Sequence, residues 1–226
     1  MAVAERWETA RNGLGRAPVV GATPRKVSPM KRVLLMIPHG AEVYETAAFI
    51  DVLGWASLEG SEEIEVVTAG LQPEVTCTVG LRRLPDTVLA DVCPDDFDAL
   101  ALPGGFEEFG FYEEAFSTSV GDVIRAFDRS SKPIATICVG ALPVAHSGAL
   151  TGRCATTYHL SGGRRRRQLA EYDVDVLDQP IVHDANIVTS TAPATAIDVA
   201  LSLVEVLTDR ENADHIRALM GFRPSR

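Results

Sequence analysis

The stretch "KPIATICVGALPVAHSGALTGR", residues 132 to 153, decides how this chain folds. Its first part, Pro133 to Ile137, is a short apolar run of the kind that a parallel sheet covers on both faces. Val139, Gly140, Ala141 and Leu142 then open a helix of small residues, expected to run to about His146 and to be followed by a turn at Gly152. Cys138 stands at the junction. A strand that ends in a cysteine and turns at once into a helix either presents a thiol or makes a tight turn around a small side chain.

Outward from this junction the same alternation continues. On the N-terminal side, Ala99 to Pro103 ("ALALP") predicts a buried strand ending in Gly104-Gly105, and Phe116 to Phe127 predicts a helix. Further back, Arg32 to Pro38 ("RVLLMIP") and Ile64 to Ala69 predict two strands. Between them Glu45 to Leu58 reads as a helix, with Ala48, Phe49, Val52, Leu53 and Trp55 at helical spacing. Val75 to Leu84 alternates around Gly80 and predicts a hairpin. On the C-terminal side, Val174 to Leu177 predicts a strand, Pro180 to Asn186 a short hairpin and Ile187 to Ser190 a further strand. Helices over Ala194 to Leu207 and Glu211 to Met220 close the chain, the second stopped by Gly221.

Strands separated by helices define an α/β fold with a mostly parallel sheet. No repeat or linker follows residue 31, so residues 31–226 read as one domain. Residues 1–30 mix Ala, Gly, Pro and Arg without an apolar period and read as a flexible extension. Glu5 and Glu8 run against a transit peptide. Met30, just before the first strand, is then the start of the ordered protein.

Composition excludes several classes of function. The chain has 226 residues, 46% of them hydrophobic, enough for a sizeable core. A net charge of -10 argues against a general nucleic-acid binder. No apolar run reaches the roughly 20 residues that span a bilayer, so a soluble protein with no membrane partner is expected. The four cysteines (Cys77, Cys93, Cys138 and Cys154) lack CxxC spacing and a dense disulfide framework. Reduced thiols in the cytoplasm are the expectation. His39, His146, His183 and His215 show no ligand spacing, so neither a metal nor another cofactor is expected.

Ligands of open α/β sheets gather at the carboxyl ends of the strands. Cys138 is predicted to lie there and to open a helix, whose unpaired N–H groups and dipole favour an anion. Its thiol pKa is therefore expected to be lowered. Cys77, Cys93 and Cys154 have no such position and are expected to be ordinary buried cysteines. Two other predicted strand ends would line the same edge. "HGAEVYETAAF", residues 39 to 49, places Glu45 near the start of its helix, where it could hold the sulfur or act as general acid and base. "ALPGGFEEFGF", residues 101 to 111, offers a Gly-Gly peptide whose N–H, with that of Val139, would make an oxyanion hole. Taken singly, a helix-start acid and a Gly-Gly turn have ordinary structural explanations. Three strand ends offering thiol, carboxyl and donors together define a candidate site.

At this point the chain resembles the ThiJ/PfpI superfamily, whose fold is similar to the class I glutamine amidotransferase domain. The resemblance rests on "GAEVYETAAFIDVL", "DFDALALPGGFEEFGFYEE", "KPIATICVGALPVAHSGALTGRCATTYHL" and "TAPATAIDVALSLVEVL", which occur in the family order. It implies a flavodoxin-like α/β sandwich, often a homodimer, with a strained nucleophile elbow at Cys138. It also implies that Glu45 is the carboxyl partner of the thiol and that the oxyanion donors are the amides of Gly105 and Val139. Tyr158 and Phe106 are the candidate substrate contacts.

Departures from the family pattern bear on function. The peptidase-like branch carries a histidine directly after its cysteine, where this chain has Val139, which weakens an amidase or peptidase reading. The branch containing the Parkinson-associated protein has a histidine after a Thr-Thr pair. Here Tyr158 holds that place and His159 follows it. His159 is the expected third catalytic group, because imidazole titrates near neutrality; a loop position or a dimer contact is the alternative. The isonitrile-hydrating branch is similar at "GRCATT" but places aspartate where Glu45 lies.

"GGRRRRQL", residues 162 to 169, carries four consecutive arginines. A solvated face or subunit contact is the default for such a run, with an anionic ligand or partner as the alternative. The expected function is cysteine-dependent turnover of a small electrophile, of hydratase, lyase or glyoxalase type. Its rivals are a redox or stress-response protein whose Cys138 is oxidised without turnover, and a biosynthetic tailoring enzyme.

Overall fold

Lys31–Met36 forms the first strand (β1), and its residues Val33 to Met36 are completely buried. The computed structural model describes residues 30–222. The helix Val43–Glu59 (α1) leads to Ile64–Gly70 (β2), and an antiparallel pair follows, Val75–Thr76 (β3) with Arg82–Arg83 (β4). Next come Thr87–Val88 (β5), Ala99–Leu102 (β6) and the helices Phe111–Ala115 (α2) and Thr118–Arg129 (α3). Ile134–Thr136 (β7) leads into Ala141–His146 (α4), Cys154–Ala155 (β8), Arg164–Ala170 (α5) and Asp175–Val176 (β9). The hairpin Ile181–Asp184 (β10) and Ile187–Ser190 (β11) precedes Ala196–Leu207 (α6) and Arg210–Leu219 (α7). The predicted extension over residues 1–30 lies, except for Met30, outside the described residues.

The main sheet has seven strands in the order β10-β11-β7-β6-β1-β2-β5. All its pairings are parallel except that of β10 with β11. The fold is thus α/β with a mostly parallel sheet. From β1 the chain steps through α1 to β2 on one side, and from β6 it steps through α3 to β7 on the other. Right-handed crossovers in opposite directions put these helices on opposite faces. Accordingly α1 packs against α6 and α7, while α3 packs against α4. The strand order reverses between β1 and β6, so the crevice at their carboxyl ends is the switch point where such sheets bind ligands.

Helix α1 buries Ala48, Phe49, Val52, Leu53 and Ala56 as one stripe. Trp55, expected in that stripe, is instead exposed, and Ala56 is the small residue that meets the core. The helix predicted over Phe116 to Phe127 is α3, shifted by two residues to Thr118–Arg129. Phe116 ends α2, and Ser117 starts α3 by accepting a hydrogen bond from the Val120 N–H at 3.5 Å. Val120, Val123, Ile124 and Phe127 then fall on one buried face. At the end of α7, Gly221 takes φ +80°, the Phe222 N–H bonds to Arg217 O and the Gly221 N–H to Ala218 O. That is the expected left-handed stop.

Two cysteine expectations need correction. Cys77 is buried, but Cys93 is exposed and Cys154 is partly so. Both lie at short turns or edges outside the main sheet, which leaves the sulfur near water. The four-arginine run, expected on a solvated face, makes up most of α5, and the side chain of Arg165 is only 14% exposed.

Candidate active site

Three strand ends converge on the switch point. The loop after β1 and the loop after β6 are stitched by an antiparallel bridge between Ala41 and Gly105. That bridge uses the Glu42 N–H to Gly104 O at 2.8 Å and the Phe106 N–H to Gly40 O at 3.1 Å. The N–H of Gly105 itself points away from Ala41, as the geometry of such a pair requires. A side chain at Gly105 would collide with Phe111, so only glycine lets the chain approach this closely.

The loop after β7 carries Cys138 at φ +55°. A residue with a Cβ pays about 1–2 kcal/mol for this left-handed conformation, so the surroundings must impose it. Several contacts do. The Gly140 N–H closes the turn onto Ile137 O at 2.9 Å, and the Thr157 hydroxyl donates to Cys138 O at 2.9 Å. Gly140 sits so close beneath that a Cβ there would lie 2.9 Å from Pro103 O. The turn Cys138–Gly140 then runs straight into α4.

Glu45 lies in the first turn of α1 and is 0% exposed. Its Oε2 accepts the Gly104 N–H at 2.6 Å, whereas Oε1 is buried with no partner of good hydrogen-bond geometry. Burial is the main reason that its pKa rises from 4.5 to about 8, and the Glu42 charge adds to the rise. The Gly104 N–H and the Cys138 thiol oppose it. Glu45 and Cys138 thus interact, although the sulfur and Oε1 are not aligned as a well-formed hydrogen bond.

The expected lowering of the Cys138 pKa is not what its surroundings produce. Burial and then the Glu45 charge push the thiol up, and the Val139 N–H pulls it down. The predicted helix is also too short to supply a strong dipole, since α4 has six residues. Two acids in one buried site cannot both be charged at modest cost, so they titrate as a pair. While Glu45 keeps its proton, its repulsion of a thiolate is absent and its O–H is a potential donor to the sulfur.

A cavity of about 480 Å³ opens over Cys138, lined by Gly105, Phe106, Val139 and Tyr158 among others. These are the residues expected beside the thiol. His159 is not among them: it is exposed, while its neighbours Thr157 and Tyr158 face the elbow and the cavity. Adjacent residues of an extended segment point in different directions, so Tyr158 occupies the place that was expected for His159. A second cavity of about 670 Å³, between β10, α6 and α7, contains none of the predicted residues. Among the described residues no group of three His, Cys, Asp or Glu side chains could hold a metal ion, and no helix is long and apolar enough to cross a membrane.

Among the cavity-wall residues that sequence reasoning did not place at the site are Glu42, Arg164 and Arg165. Glu42 is partly buried, which raises its carboxyl pKa. Arg164 and Arg165 both hold Glu107, at 3.1 and 2.8 Å. The arginine run was the available signal, but nothing in the sequence brings it to the end of β7.

A doubly wound α/β sheet with a cysteine elbow at its switch point and a buried carboxyl beside the thiol defines a flavodoxin-like protein of the cysteine-elbow class. The chain belongs to the DJ-1/PfpI family, whose sequence profile matches residues 31–206. It is 34% identical over 188 residues to Drosophila melanogaster protein dj-1beta, covering 82% of this chain and 94% of that one. The crystal structure of that protein superposes with a TM-score of 0.76 at 31% identity, over 86% of this chain and 100% of the other. The glutathione-independent glyoxalase DJR-1.2 of Caenorhabditis elegans is 29% identical over 185 residues, 81% of this chain and 92% of its own. An oxidized Toxoplasma gondii DJ-1 matches with a TM-score of 0.72 at 27% identity, over 86% and 100% of the two chains.

Proposed function

We propose that this protein is a cofactor-independent glyoxalase-type enzyme that converts a small 2-oxoaldehyde to a 2-hydroxy acid. The observation that carries the reading is Glu45, a buried carboxyl with a pKa of about 8 placed beside the Cys138 thiol. A carboxyl poised near neutrality can both give and take a proton during turnover. The relative named as a glyoxalase supports the same choice.

In the proposed cycle the Cys138 thiolate adds to the aldehyde carbon, and the oxygen takes up a proton to give a hemithioacetal. Glu45, ionised at that stage, removes the proton on that carbon, and the electron pair moves to form an enediol. Reprotonation at the former ketone carbon leaves a thioester, so one carbon is oxidised as its neighbour is reduced. Water then attacks the thioester, releasing the 2-hydroxy acid and the thiol. The net change is addition of one water, with no external oxidant or reductant. The Gly105 and Val139 N–H groups would hold the oxygen wherever negative charge develops. Tyr158 and Phe106 would wall the substrate in. His159 has no part in this cycle.

A second reading is favoured by the unpartnered Oε1 of Glu45. A protonated carboxyl there could donate to an oxidised sulfur and stabilise a sulfinic acid, making Cys138 a redox sensor. Turnover of methylglyoxal with chiral detection of lactate separates the two. The enzyme reading expects lactate from the wild type and none above background from Cys138→Ser. A wild type that forms no more lactate than Cys138→Ser leaves only the sensor.

A further inference from the structure

Resting on the reading of Cys138 as a nucleophile toward small electrophiles, we infer that the cavity selects electrophiles that carry a carboxylate, which Arg164 and Arg165 receive in place of Glu107. The cavity wall combines two unlike chemistries: the thiol and amides of Cys138, Val139 and Gly105, and the guanidinium groups of Arg164 and Arg165. Phe106 and Leu160, both exposed large apolar residues, line the wall with Tyr158. A ligand with a reactive carbon, a short apolar spacer and an anionic tail matches that combination.

The arginine pair already holds a carboxylate. Arg165 Nη2 donates to Glu107 Oε2 at 2.8 Å, and Arg164 reaches both oxygens, at 3.1 Å to Oε2 and 3.4 Å to Oε1. Two cations face the one carboxylate of Glu107, while Glu42 and Glu108 place further acidic groups on the cavity wall. Arg165 is held ready: its guanidinium carbon lies 4.7 Å from the centre of the Tyr112 ring, and Nη1 donates to Gln168 Oε1 at 3.0 Å. Planar guanidinium groups suit a carboxylate geometrically.

Glu107, by contrast, is on a short turn and its side chain is 47% exposed. An ion pair so open to water adds little stability, so a substrate carboxylate can exchange with it. Beneath Arg165 the Tyr112 hydroxyl is buried without a partner and is electrostatically linked to Arg165, Cys138 and Glu107.

The test compares two maleimides of matched length, N-butylmaleimide and 4-maleimidobutanoate, which differ only in the terminal carboxylate. Initial rates of adduct formation at Cys138 are read by mass spectrometry, with the exposed Cys93 as internal reference for intrinsic reagent reactivity. The rate ratio of the anionic to the neutral reagent at Cys138 should fall about fivefold in Arg164→Gln and in Arg165→Gln, and rise about twofold in Glu107→Gln. Added salt should weaken the preference. Arg164 is exposed, so its variant keeps the test valid even if Arg165→Gln unfolds. A ratio equal in wild type, Arg164→Gln and Glu107→Gln overturns the inference. If the ratio moves as expected but no 2-oxoaldehyde is turned over, the carboxylate site stands and the glyoxalase reading falls. If Cys138 accepts neither reagent, the nucleophile reading falls and the inference with it.

Discussion

The Gly104 N–H donates to Glu45 Oε2 at 2.6 Å, tying the carboxyl end of β6 to the first turn of α1. This bond orients a fully buried carboxyl and leaves Oε1 without a well-formed partner. The protein tolerates a buried acid here, and the acid prefers its neutral form because burial penalises its charge.

That preference has a consequence for stability. In the unfolded chain Glu45 titrates near 4.5, and in the folded protein near 8. Between those values the unfolded state releases a proton that the folded state keeps. Stability from this group is therefore complete below pH 4.5 and is lost as pH rises through 8. The full shift corresponds to about 3–5 kcal/mol. Urea unfolding of Glu45→Gln should show its advantage over wild type growing from pH 5 to pH 8. An equal difference at the two pH values would mean that Glu45 is ionised throughout.

The elbow should be intolerant beneath Cys138. Gly140→Ala would place a methyl 2.9 Å from Pro103 O and 3.0 Å from Leu102 O, both backbone atoms. Overpacking of this kind costs about 1–3 kcal/mol. We expect a matching loss in denaturant midpoint together with altered alkylation of Cys138. A variant as stable as wild type would show that the turn is not clamped as described.

Thr157 holds the carbonyl of the same residue. Replacing it with valine removes the 2.9 Å bond to Cys138 O and leaves that oxygen buried without this donor. About 1–3 kcal/mol of stability should be lost, and methylglyoxal turnover should fall with it. Full activity in Thr157→Val would mean that the elbow keeps its conformation without the hydroxyl.

His159 and Tyr158 give opposite expectations. His159 is exposed and outside the cavity, so His159→Ala should leave kcat/KM within about twofold of wild type, as is usual for surface changes. Tyr158 lines the cavity, and Tyr158→Ala should raise KM by removing a wall. A large loss in kcat from His159→Ala, with normal stability, would restore the histidine to the mechanism.

Much of the fold was legible because apolar runs and helical stripes report burial directly. The strands β1, β2, β6, β7 and β11 were readable from short apolar runs, and the order of elements followed. Cys138, Glu45, Gly105 and Val139 were readable as a group because strand ends in such sheets share one edge. What escaped the sequence depends on tertiary placement. The direction of the Cys138 shift follows from the depth of the site and from Glu45 as a neighbour, neither of which spacing reveals. His159 and Tyr158 differ only in the local direction of an extended segment. Arg165 reads as a surface charge until the ring of Tyr112 and the carboxyl of Glu107 are seen beside it.

The measurement that tests the central claim most directly is the pH dependence of Cys138 alkylation by iodoacetamide, located by mass spectrometry, in wild type and Glu45→Gln. If thiol and carboxyl titrate as one pair, wild type should give a broad profile with two steps, the lower one close to the Glu45 pKa of about 8 and the upper one above it, where the thiol ionises against the charged carboxyl. Glu45→Gln, which cannot ionise there, should give a single step, while the profile of the distant Cys93 stays the same in both. Identical single-step profiles at Cys138 would contradict the account, because the carboxyl would then have no hold on the sulfur.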